Sequence, residues 1–288
     1  MTMPQAGADA GRGMGSGMDA HIDMATTLGA AAWSRRIARR FPGHAAIIDG
    51  QRTISYAELD QRVERLAVAL DARGIGPGDR VAALLVNGLP LVELYLATAR
   101  LGAILLPLNW RLAEAELAWI VGNAEPKIVF VSGSLLALIG TAAGKLSVIV
   151  AGDDPENDGA DGDNAYEALI ASVDETARLD RDPAPDLPWI MLYTSGTTGR
   201  PKGCLLSQQG QVVSAYAMAS QWQSDEHTRL LLSLPLFHVG GTGLLFAHLA
   251  SEPPSSSHHA PLTPRSPGGW PRPWNATRLP SCRNIIPR

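Results

Sequence analysis

Tyr193-Thr194-Ser195-Gly196-Thr197-Thr198-Gly199-Arg200-Pro201-Lys202-Gly203 is the stretch on which the reading of this sequence turns. It follows residues 188–193, an apolar run of buried-strand type, so it stands where a strand opens into a turn. Gly196, Gly199 and Gly203 allow positive φ and close backbone approach to a ligand. Successive N–H groups in such a turn form a nest for an anion. The hydroxyls of Thr194, Ser195, Thr197 and Thr198 add donors. Lys202 adds a positive charge, which shortens and strengthens hydrogen bonds to phosphate. The competing reading is a structural Gly/Thr turn. A Walker A loop is excluded, because the pair Gly144-Lys145 is followed by Leu146 and Ile139 stands at the upstream glycine position.

Outward from this turn, strand and helix signals alternate. Towards the N-terminus, residues 26–40 predict a helix, and Ala45–Asp49 with Arg52–Ser55 predict a hairpin turning at Gly50-Gln51. Ser55-Tyr56-Ala57-Glu58 is a capping box. It opens a helix with Leu59, Val63, Leu66, Ala67 and Leu70 at helical spacing, with Gly74 placed to end it. Strands are expected at 80–86, 103–106, 127–131 and 146–150, and helices at 91–100 and 113–123. Beyond the turn, helices are expected at 209–221 and 241–249, with a strand at 230–233 between them. This alternation predicts an α/β fold of βαβ units: a largely parallel sheet flanked by helices. Residues 151–164, rich in Asp and Gly, read as a surface loop.

The ends differ in character. Residues 1–24 read as a disordered leader, small, polar and without the pattern of a secretory signal. Residues 251–288 hold nine of the chain's 21 prolines and one acidic residue, Glu252, and are expected to be disordered. Their Pro/Ser/Arg/His composition is what a GC-rich gene yields in the wrong reading frame, so a frameshift or premature truncation is expected there. The globular part is expected over 25–250.

Among 288 residues the formal charge is −4, which gives no basic field for nucleic acid. No run of some 18 apolar residues predicts a membrane span. Cys204 and Cys282 fit a reducing cytoplasm, with Cys204 read as a small buried residue.

The eleven residues of the turn resemble the phosphate loop of the adenylate-forming superfamily, which includes acyl-CoA synthetases, luciferases and nonribosomal peptide adenylation domains. Other segments agree in order. Ile54-Ser55-Tyr56-Ala57-Glu58-Leu59 is similar to the family's early TYxEL segment, and Gly78-Asp79-Arg80-Val81-Ala82 to its GDRVA strand entry. Pro107-Leu108-Asn109-Trp110-Arg111-Leu112 resembles most the fatty and aryl acyl-CoA synthetases. Leu234-Pro235-Leu236-Phe237-His238-Val239-Gly240-Gly241 resembles the PLFHxxG motif.

The resemblance implies an AMP-forming acyl-CoA ligase. A carboxylic acid attacks the α-phosphate of ATP, giving an acyl-adenylate and pyrophosphate, and coenzyme A then displaces AMP. It implies that Thr194, Ser195, Gly196, Thr197, Thr198, Gly199 and Lys202 hold the β- and γ-phosphates. Thr198 would serve as the Mg²⁺ ligand. His238 would sit by the acyl pocket, as gate and catalytic residue; its competing reading is a hydrogen-bonded core histidine. Asn109 and Arg111 read as ties between a strand end and a neighbouring helix, and Trp110 and Phe237 as core or pocket wall.

The family's later motifs are not found in the sequence: neither the Tyr-Gly-x-Thr-Glu segment for adenine and Mg²⁺ nor the Thr-Gly-Asp for ribose. The expected product is therefore a partial N-terminal domain, inactive alone, with an unpaired sheet edge and an uncovered apolar face. A separate downstream chain supplying the missing motifs would restore activity. The alternative is a non-catalytic pseudogene or frameshift product, at most a weak nucleotide or partner binder.

Overall fold

The computed structural model describes residues 29–49, 52–144, 146–152, 165–194, 200–222 and 228–250. The leader, the tail, the Gly50-Gln51 turn, residues 153–164 of the expected 151–164 loop, Cys282 and the 195–199 core of the glycine turn lie outside the described residues.

Eight strands and eight α-helices alternate among the described residues. Helix α1 spans Ala30–Arg40, and β1 (Ala45–Asp49) pairs antiparallel with β2 (Arg52–Ser55) in a small separate sheet. Helix α2 spans Tyr56–Asp71. Its cap is the one read from the sequence: Ser55 Oγ accepts the Glu58 N–H at 3.1 Å. Gly74, at φ 76°, then turns the chain out of the helix.

The main sheet has the order β6-β5-β3-β4-β7-β8. Its strands are β3 (Arg80–Leu84), β4 (Ile104–Pro107), β5 (Ile128–Ser132), β6 (Ser147–Ala151), β7 (Pro188–Thr194) and β8 (Lys202–Ser207). All neighbours are parallel except β7 and β8. Helices α3 (Leu89–Leu101), α4 (Glu114–Ala124), α5 (Leu136–Ala143) and α6 (Ala165–Ala171) make the crossovers, and α7 (Gln208–Trp222) and α8 (Val239–Ala250) follow β8. The crossovers through α3 and α6 step one way along the sheet and pack on one face; those through α4 and α5 step the other way and pack on the opposite face. Direction and face reverse together, as a single hand of crossover requires. The result is a doubly wound α/β sheet.

The period-2 alternation of strands sorts the core into two layers. Val81, Ala83, Leu105, Ile128 and Phe130 face α1, α2, α3, α6, α7 and α8. Ala82, Leu84, Leu106, Val129 and Val131 face α4 and α5. Helix α3 is buried along almost its whole length, as an apolar helix covered on all sides must be.

Its two buried charges are both paired. Arg100 donates to Glu64 at 2.6 Å and to Asp60, while Glu64 also takes Arg35 at 3.2 Å and the Leu179 N–H at 2.8 Å. Glu93 accepts from Arg62 and the Tyr166 hydroxyl, and Arg62 also bonds Glu167. These networks fix α2 against α3 and α6. Breaking such a pair leaves an uncompensated buried charge, which is strongly destabilising.

The structure departs from the sequence reading at several places. Strand β8 and helices α5 and α6 were not read. Residues 230–233, read as a strand, belong to neither sheet. Cys204 is an exposed free thiol, not a buried residue, because β8 is an edge strand.

Candidate functional site

In a doubly wound sheet, ligands bind at the carboxyl ends of the parallel strands. Here β3, β4 and β7 deliver Asn87, the 108–113 segment and the glycine turn to that one edge.

The glycine turn is the connection of a hairpin. β7 and β8 pair from Pro188↔Ser207 up to Thr194↔Lys202, so both feet of the turn are pinned by ladder bonds. Thr194 and Lys202 are direct cross-strand partners and therefore share a face of the sheet. Both are exposed. Tyr193 anchors the turn from below: its hydroxyl donates to Asn123 Oδ1 at 2.6 Å, and its ring meets Trp119 edge-on at 6.1 Å. The ring also lies over Gly203, where an added Cβ would come within 3.2 Å of it. A side chain at Gly203 would press on that ring and push it back by a few tenths of an ångström. Ser195, Gly196, Thr197, Thr198 and Gly199 lie outside the described residues.

A second group brings the two other motifs together. Trp110 and Phe237 meet edge-to-face at 6.0 Å, and the Arg111 guanidinium stacks over both, at 4.4 and 5.6 Å from the ring centroids. Such stacking holds the cation without removing its donors from water. The Asn109 side chain does not reach a helix; its Oδ1 accepts the Arg111 N–H at 2.9 Å and closes a local Asx turn.

Asn87, which sequence reasoning passed over, clamps residues 234–236. Its Nδ2 donates to the Leu234 carbonyl and its Oδ1 accepts the Leu236 N–H, both at 2.8 Å. The Tyr95 hydroxyl adds a bond to the Leu236 carbonyl at 2.7 Å. The turn composition of Val86-Asn87-Gly88 was the available signal, but nothing in sequence spacing ties it to residue 234.

His238 is exposed and caps α8: its Nδ1 accepts the Gly240 N–H at 3.1 Å and its carbonyl accepts the Thr242 N–H at 3.1 Å. With Nδ1 an acceptor, the neutral ring carries its proton on Nε2. The core-histidine reading does not hold, since the ring is on the surface. No group of three or more His, Cys, Asp or Glu side chains that could hold a metal ion occurs among the described residues.

A doubly wound α/β sheet with a β7–β8 hairpin at its carboxyl edge is a frame that places ligands at that edge, and the chain belongs to the AMP-binding enzyme family, whose profile matches residues 34–252. It is 39% identical over 211 residues to the indoleacetate–CoA ligase of Aromatoleum aromaticum, covering 73% of this chain and 41% of that protein. It is 33% identical over 195 residues to the long-chain-fatty-acid–CoA ligase of Thermus thermophilus, covering 67% of this chain and 35% of that one. Among solved structures, ATP-bound MatB from Rhodopseudomonas palustris superposes with a TM-score of 0.66 at 32% identity, over 80% of this chain and 44% of MatB. The inhibitor-bound N-terminal domain of FACL13 from Mycobacterium tuberculosis gives 0.65 at 27% identity, over 78% of this chain and 55% of that one. The chain thus spans about two-fifths of the length of the curated relatives it matches.

Proposed function

We propose that this chain supplies the triphosphate-holding part of an acid–thiol ligase, one that activates a carboxylic acid as its acyl-adenylate with ATP and passes the acyl group to coenzyme A. The observation that carries the reading is the hairpin that sets Thr194 opposite Lys202 at the carboxyl edge of the sheet. The amides and hydroxyls of Thr194, Ser195, Gly196, Thr197, Thr198 and Gly199 receive the β- and γ-phosphates, with Lys202 neutralising their charge. Without a carboxylate cluster among the described residues, Mg²⁺ would arrive with the nucleotide, held by its phosphates and by Thr198. His238, surface-exposed beside the Trp110–Arg111–Phe237 group, is assigned to the acyl side.

The acids for which these relatives are named, indoleacetate and long-chain fatty acids, share a carboxylate on an apolar body. We take that class of acid for this protein. The free, exposed Cys204 fits a reducing, cytoplasmic compartment.

The sequence carries none of the family's adenine- and ribose-binding motifs. Tripolyphosphate should therefore bind nearly as well as ATP, and adenosine hardly at all. Lys202→Ala should weaken both anions roughly tenfold or more, the value of one charge-assisted hydrogen bond. Equilibrium dialysis with Mg-ATP, Mg-tripolyphosphate and adenosine is the test. Adenosine binding as tight as ATP, or full ATP affinity in the Lys202→Ala protein, would overturn the proposal.

A further inference from the structure

Helices α1, α2, α3 and α8 close round a cavity of about 20 Å³, with Ile37, Leu59, Leu96 and Leu249 as its apolar wall. One water needs roughly 10–15 Å³, so there is room for a water or for a molecule of about two or three heavy atoms.

Two N–H donors belong to the same lining. Trp33 Nε1 and Arg100 Nε have no hydrogen-bond partner among the described residues. Trp33 is 1% exposed and Arg100 0%, so neither donor is satisfied at the surface. Neither is free to turn away. The indole meets Phe246 edge-on at 6.3 Å. The guanidinium is pinned by its other two nitrogens: Nη1 donates to the Asp60 carbonyl at 3.1 Å and to Glu64 at 2.6 Å, and Nη2 to the Asp60 carboxylate and to Ser34 Oγ. A planar fork held at two corners fixes the third donor. A buried donor left unpaired carries its full desolvation cost, which an acceptor in the cavity removes.

Charge decides the kind of acceptor. Arg35 and Arg100 are matched by Glu64 and Asp60. Burial pushes the Tyr56 phenol up to about 12, so this lining residue stays neutral. The group is already balanced and brings the Asp60 carboxylate to the cavity, so an anion there would be an uncompensated buried charge.

We propose that this cavity binds one small neutral molecule whose hydroxyl or carbonyl oxygen accepts from both Trp33 Nε1 and Arg100 Nε. Water is the smallest member of that class, and methanol or formamide about the largest that fits. Helix α3 runs from the carboxyl edge of the sheet at Leu89 back to the start of β4, so Arg100 lies by the edge opposite the β7–β8 turn. The inference therefore does not rest on the phosphate reading.

The test is NMR on the nitrogen-labelled 288-residue chain. The Trp33 indole peak is identified by its loss in Trp33→Phe, or by its contact with the Phe246 ring. A rotating-frame dipolar contact between this indole proton and a held water is expected. A contact that methanol and formamide leave intact assigns the oxygen to water. Its loss, with a saturable shift of this peak, assigns the oxygen to the organic hydroxyl or carbonyl. Formate, an anion of formamide's size, should leave the peak unmoved. Leu249→Phe, which fills the wall, should abolish the contact or cut the response at least fivefold while the Trp33 peak persists. Neither contact nor saturable shift in the unsubstituted chain, a saturable shift with formate, or an undiminished response in a folded Leu249→Phe protein would overturn the proposal.

Discussion

At Gly241 a Cβ would lie 2.2 Å from the Pro235 carbonyl oxygen, and the obstacle is backbone rather than a movable side chain. Gly241→Ala should therefore destabilise the protein by about 2 kcal/mol through overpacking, read as a lower urea midpoint with unchanged slope. An unchanged midpoint would contradict the packing of 235–241. A second residue-scale prediction concerns Glu64. Burial alone would raise its carboxyl, but the Leu179 N–H and the Arg100 and Arg35 charges outweigh this and hold it below its ordinary value of 4.5. A depressed folded-state value means the stabilisation is present above pH 4.5 and is lost as pH falls through the lower folded value. Glu64→Gln should cost about 3 kcal/mol at pH 7, with the gap to the wild type closing in acid. Urea titrations at several pH values check this; a pH-independent gap would refute it. The sequence displayed the glycine and hydroxyl chemistry of 193–203 because those residue types are rare together in that order. It hid Asn87 and Tyr95, whose importance lies in contacts with Leu234 and Leu236 far along the chain.

Helix α2 is the element most fully legible in the sequence. Its apolar positions recur at helical spacing and its start is marked by Ser55. Ser55→Ala should cost about 1 kcal/mol, because the Glu58 N–H loses its acceptor; thermal melts showing no loss would contradict the cap. Strand β8 was illegible for the opposite reason. Lys-Gly-Cys-Leu-Leu-Ser lacks alternation, and among the described residues its ladder is the one with β7. The 230–233 run failed in reverse: its composition describes a strand, but strand formation needs a neighbour, and both sheets end elsewhere. Helix α5 was missed because Leu136, Leu138, Ile139 and Ala142 form too short a pattern to separate from a loop.

Across the whole molecule, the alternation of strands and helices was enough to predict the parallel sheet, since the central strands β3, β4 and β5 stand between helical segments and are buried almost throughout. The strand order was not, because β4 and β5 lie on opposite sides of β3 and only packing decides which side each takes. The parallel pairing of β7 with β4 is what places the β7–β8 turn at the carboxyl edge of the sheet. The most direct test of the account is hydrogen–deuterium exchange over residues 193–203 with and without saturating Mg-ATP. The account predicts several-fold slower exchange there with nucleotide, no change over Glu114–Ala124, and a reduced slowing in Lys202→Ala when nucleotide is held near the dissociation constant of the unsubstituted protein. Unchanged exchange over 193–203 while ATP is bound, or no ATP binding at all, would contradict it.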